Sequence, residues 1–184
     1  MIVCVGWGSL IWCQKQLPVE GKWHVDGPEL PIEFARESRD KRITLVIAES
    51  VPTVTTLWAV LAVDSLEHAK KALAVREGIN DRNVRHSIGY WSPAGPSDHP
   101  QAAVIGTWAA ARAFDGAVWT ALKAKMGEDD HFPSEEEVVR HLSGLTGSAL
   151  DAAKEYVELA PRQIATPYRR AIEQELRWLP AGLV

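Results

Sequence analysis

The feature that most limits the fold is an ordering along the chain. Strand-like apolar runs come first, and helical periodicity comes after them. Ile2, Val3 and Val5 open the chain as one buried strand. Residues 30–36 (Leu-Pro-Ile-Glu-Phe-Ala-Arg) alternate apolar with polar, which predicts a half-buried strand. Arg39-Asp40-Lys41 make a polar turn into residues 43–47, so a hairpin is expected. Residues 54–63, rich in branched and aromatic side chains, predict a third strand of a mainly antiparallel meander. Residues 14–28, punctuated by Pro18, Gly21, Gly27 and Pro28, read as an irregular connection.

Helical signals begin at Asp64, which forms a capping-box pattern with Glu67 and starts a helix through Leu66, Ala69, Leu73 and Arg76. Gly78 is its stop. Residues 84–91 and 102–108 read as further strands, separated by a Pro- and Gly-rich loop at 92–100. From Phe114 onward the texture is helical, with segments at 114–126, 134–145 and 148–160 and a last helix opened by Thr166-Pro167. Strands followed by helices specify an α+β domain. The 184 residues make a single domain, 1–184, in which 114–184 is a helical C-terminal elaboration.

Two stretches carry chemistry. The first is Val5-Gly6-Trp7-Gly8-Ser9-Leu10-Ile11-Trp12, where the first strand breaks into two glycines. Glycine admits backbone conformations closed to other residues and lets a ligand approach closely. The amides from Gly8 to Ile11 then form a candidate donor cluster for an anionic or carbonyl oxygen. A tight turn with purely geometric glycines is the competing reading. Three sharper motifs fail. A dinucleotide fingerprint requires a third glycine where Ile11 stands, a phosphate-binding P-loop requires the missing Gly-Lys-Ser/Thr, and a nucleophile elbow requires glycines where Trp7 and Ile11 flank Ser9.

The second stretch is Ala74-Val75-Arg76-Glu77-Gly78. A carboxylate in the last turn of a helix faces the negative end of the dipole, at a cost of a few tenths to ~1 kcal/mol. Arg76 offsets that cost, and a surface glutamate there would be unremarkable. Burial together with the helix end would raise the Glu77 pKa, as a proton shuttle at neutral pH requires.

Trp7-Gly8-Ser9-Leu10-Ile11-Trp12 resembles the strand-end loop of the gamma-glutamylcyclotransferase-like family, in the Tyr-Gly-Ser-Leu-Ile-Trp form of its ChaC branch. Tryptophan replaces the family's tyrosine at position 7. Arg76-Glu77 is similar to the Arg-Glu pair that ends a helix in that branch and carries its catalytic glutamate. The resemblance runs in order over roughly residues 1 to 110 and leaves the C-terminal helices unmatched. It implies a mixed, mainly antiparallel β-sheet or barrel of that family's type with surrounding helices. It also implies release of 5-oxoproline from a small gamma-glutamyl amine or peptide, with Glu77 as the catalytic acid and base. Trp7, Gly8, Ser9 and Leu10 would hold the substrate, and neither metal nor cofactor is called for.

Arg36, late in its strand, is a third candidate, because a guanidinium pairs bidentately with a carboxylate. His86 and Tyr90 are weaker candidates for the same pocket. A non-catalytic module that binds a small molecule or partner in the same pocket is the alternative, motivated by the replaced tyrosine and the unmatched C-terminal helices. A third reading is an enzyme of this fold that acts on another amide.

The formal net charge of −4, with basic residues scattered among acids, argues against nucleic acid or an anionic membrane as partner. No apolar stretch reaches the length of a membrane span, so a cytoplasmic protein is expected. Two cysteines, Cys4 and Cys13, bracket the glycine loop. Without an export signal they are expected to be free thiols, and their spacing with His24 matches no zinc pattern.

Overall fold

The computed structural model describes residues 1–127 and 131–181, which form two units. The first comprises Met1–Gly6, Leu10–Leu30 and Thr55–Leu122; the second comprises Trp7–Ser9, Pro31–Val54 and Lys123 onward. The architecture is α+β, with a six-stranded sheet, a three-stranded sheet and six helices among the described residues.

The first unit is built on strand β1 (Ile2–Gly6), whose residues are buried from Val3 onward. β6 (Leu57–Leu61) pairs antiparallel to one side, with Cys4 opposite Ala59. β9 (Gly116–Thr120) pairs parallel to the other, with Cys4 opposite Val118. β2 (Val19–His24) lies outside β6, and β7 (Ile88–Ser92) outside β9. The two-residue strand β8 (Gly95–Pro96) forms the far edge.

Side-chain alternation along β1 and β9 separates the faces of this sheet. Cys4 and Val118 join Leu10, Ala69, Leu73, Ala74 and Ile88 in one cluster, packed under helix α1 (Leu66–Glu77). On the opposite face, helix α3 (Ala102–Ala111) approaches so closely that a Cβ on Gly106 would stand 2.4 Å from the Trp91 ring.

In the second unit, residues 31–37 of β3 (Glu29–Glu37) and β4 (Ile43–Ile47) form the expected hairpin, with Phe34 opposite Leu45. Their sheet has the order β4-β3-β5, where β5 is Thr53–Thr55. The remainder is helical: α4 (Glu135–Ser143), α5 (Gly147–Leu159) and α6 (Pro167–Leu176). Ser134 and Glu137 form a reciprocal capping box on α4, and the Thr166 hydroxyl caps α6.

Several expectations are corrected. The strands do not make one meander: β3 and β4 belong to a different sheet from β1, and β1 and β9 run parallel. The described residues contain no closed barrel. The strand expected over 54–63 breaks at Thr56, because this buried residue turns its N–H and hydroxyl onto the Pro28 carbonyl, the hydroxyl at 2.7 Å. The supposed connection at 14–28 contains β2, whose alternation is interrupted by Gly21 at φ 78° and a register shift between Glu20 and His24. Residues 84–91 are split between α2 (Asp81–Ser87), capped by Asn80, and β7.

The alanine-rich segment at 102–108 is helical, as alanine's propensity favours. The helix expected over 114–126 is instead the central strand β9. Buried on both faces, β9 shows no alternation to read. Ser65, not Asp64, caps α1, accepting from the His68 N–H, while Asp64 meets the His68 ring at 3.2 Å. Residues 128–130 and 182–184 of the expected helical region lie outside the described residues.

Candidate functional site

The candidate residues fall into two groups, one in each unit. In the first unit, α1 ends as its sequence requires. Gly78 adopts the left-handed conformation (φ 66°, ψ 29°), and the Ile79 N–H returns to the Ala74 carbonyl at 2.9 Å. This terminus holds Arg76 buried, with 5% exposure. Its Nη2 and Nε donate to the Cys13 carbonyl at 2.7 and 3.2 Å, and its Nη1 donates to Glu77 Oε1 at 2.7 Å. One guanidinium therefore clasps the segment that follows the glycine loop and fixes the carboxylate at the helix end.

The Glu77 side chain is 17% exposed, and its Oε2 has no partner among the described residues. Burial drives the Cys4 thiol pKa well above its ordinary value, and the Glu77 charge adds to the rise while Arg76 opposes it. Glu77 thus bears electrostatically on the strand that leads into the loop. Leu10 packs in the core beside Cys4 and Leu73, so its side chain acts as a core anchor.

In the second unit, Trp7 is buried and its Nε1 donates to the Leu45 carbonyl at 3.1 Å. Gly8 faces Tyr156: a Cβ there would stand 2.5 Å from the phenolic oxygen. That oxygen also accepts the Leu45 N–H at 3.2 Å. Neither Gly6 nor Gly8 takes a positive φ. Both glycines serve close approach rather than a left-handed turn, Gly6 accommodating Trp23 and Ile11 within its own unit. Ser9 is half-buried. Arg36 is also half-buried, and its Nη1 donates to the Lys123 carbonyl at 2.6 Å.

His86 lies exposed on α2, and Tyr90 is half-buried with the Lys70 ammonium 4.5 Å from its ring centroid. Both cysteines are free thiols, Cys4 buried and Cys13 exposed.

Sequence reasoning missed Glu33. Alternation along β3 placed it outward, but it is fully buried. Its carboxylate accepts from the Thr166 hydroxyl and from the Tyr168 N–H at 3.2 Å, which seats it on the N-terminus of α6. Burial raises its pKa above the ordinary glutamate value despite these donors. The Thr166-Pro167 cap was readable in the sequence, but nothing local pairs it with a glutamate so far away in the chain.

No family model, no curated protein and no solved structure matches this chain.

Proposed function

We propose that this protein is a gamma-glutamylcyclotransferase-like enzyme that releases 5-oxoproline from a small gamma-glutamyl amine or peptide. The observation that carries the reading is the clasp at the end of α1, where buried Arg76 joins Glu77 to the Cys13 carbonyl just beyond the glycine loop. A partly exposed carboxylate with one oxygen held and the other unpartnered suits a proton shuttle.

In the reaction the substrate's α-amine attacks its own side-chain carbonyl, forming a five-membered ring. Glu77 takes the proton from that amine and delivers it to the leaving nitrogen as the original amide C–N bond breaks. Holding amine and carbonyl together supplies much of the acceleration. The reading assigns Trp7, Gly8, Ser9, Leu10 and Arg36 to substrate binding, and a fold of the gamma-glutamylcyclotransferase type belongs with it. No step calls for a metal or cofactor, and a cytoplasmic setting fits this chemistry.

The test incubates the purified protein with a panel of gamma-glutamyl compounds, glutathione included, and assays 5-oxoproline. Product should form, and Glu77→Gln should lower the rate roughly 10²–10⁴-fold. Turnover undiminished in that variant refutes the assignment. A second reading, a binding module without turnover, draws support from Trp7, whose indole N–H is committed to the Leu45 carbonyl. Calorimetric binding of the same compounds with no product would favour it.

A further inference from the structure

Within the second unit, a cavity of about 470 Å³ is lined by Arg162, Ala165, Arg169, Arg170, Glu173, Leu179 and Pro180. That volume falls in the range of small-molecule sites. Its three arginines play different parts. Arg169 is 2% exposed, and all its donors are spent: Nε on Glu173, Nη1 on the Pro161 and Ile164 carbonyls, Nη2 on the Val157 and Ala160 carbonyls. It ties the end of α5 and the turn after it to α6, with its charge matched by Glu173 at 3.0 Å. Arg162 and Arg170 are exposed, and neither side chain has a partner among the described residues. Burial lowers the Arg169 pKa, Glu173 opposes that shift, and the Arg162 charge adds to it.

We infer that this cavity binds a phosphate monoester carried on a small apolar group. With Arg169 and Glu173 cancelling, Arg162 and Arg170 leave two positive charges, which match a dianionic phosphate better than a single carboxylate. The planar guanidinium fork suits phosphate oxygens bidentately. The remaining wall is apolar, formed by Ala165, Pro180 and Leu179, the last 59% exposed, and it would cover the ester's carbon portion. This inference does not depend on the enzymatic reading above.

The experiment is calorimetric titration of the full chain with phenyl phosphate, inorganic phosphate and benzoate at low ionic strength. Phenyl phosphate should bind most tightly, and the double variant Arg162→Ala/Arg170→Ala should weaken it roughly tenfold or more. Leu179→Glu, which adds a negative charge to the wall, should weaken it as well, while Lys154→Ala should leave it unchanged. All four positions are exposed, and circular dichroism would verify that each variant keeps the fold. Absence of phenyl phosphate binding overturns the inference. So does equal binding by the double variant, or inorganic phosphate or benzoate binding as tightly as the ester.

Discussion

Gly8→Ala tests whether the glycine loop is shaped by close packing. The new methyl would meet the Tyr156 oxygen at 2.5 Å, Tyr156 Cζ at 3.6 Å and Leu45 Cβ at 3.9 Å. Only the first contact is prohibitive. Tyr156 cannot retreat freely: it is 5% exposed, its ring packs edge-on against Phe34, and the Arg42 guanidinium lies 5.6 Å from its centroid. Overpacking of this kind costs about 1–3 kcal/mol. If the hydroxyl is displaced from the Leu45 N–H, stranding a buried donor adds about 1–3 kcal/mol.

We therefore expect Gly8→Ala to lose about 2–4 kcal/mol, read as a lower urea midpoint at unchanged slope. Tyr156→Phe alone removes the acceptor and should cost about 1–2 kcal/mol. In the double variant the nearest atom becomes the ring carbon at 3.6 Å, an ordinary contact. The double variant should then be more stable than the sum of the single losses by about 1–3 kcal/mol. A Gly8→Ala loss below about 0.5 kcal/mol, or strict additivity in the cycle, would refute the reasoning.

Other outcomes follow from the same structure. Arg76→Ala leaves the Glu77 carboxylate and the Cys13 carbonyl without their donor and should cost about 3–5 kcal/mol in chemical denaturation. Arg76→Lys, which lacks the fork, should recover only part of that loss. Because burial raises the Glu33 pKa, the native state holds that proton more firmly than the unfolded chain does. Its contribution is fully present below the unfolded value and is lost as pH rises through the native one. The stability of Glu33→Gln relative to wild type should therefore climb as pH increases from about 4.5; a flat or falling difference speaks against this. In native protein at pH 8, a thiol reagent should modify Cys13 and spare Cys4, and denaturant should expose both.

What the sequence revealed about the fold was governed by locality. The cap of α6 at Thr166, the αL stop at Gly78 and the β3–β4 hairpin are written in neighbouring residues, and each appears where it was read. β9 was misread because burial on both faces erases the periodicity that identifies a strand. The break at Thr56 arises from its bonds to Pro28, a contact between distant segments that no window along the chain contains. At the site, Arg76 and Glu77 stood out as a charged pair at a helix end, yet the role of Arg76 as a clasp on Cys13 needed the tertiary structure. Glu33 was hidden for the same reason as Thr56: the donors that satisfy it come from the start of α6.

The parallel insertion of β9 between β1 and β7 has a consequence for synthesis. β1 and β6 can zip together once the first sixty or so residues have left the ribosome, but one flank of β1 stays bare until residues 116–120 emerge. Across that interval the nascent chain displays an apolar ribbon with unpaired amides, a surface prone to capture by other chains. Conditions that slow elongation between Leu61 and Gly116 should therefore lower the yield of native protein more than equal delays after Thr120.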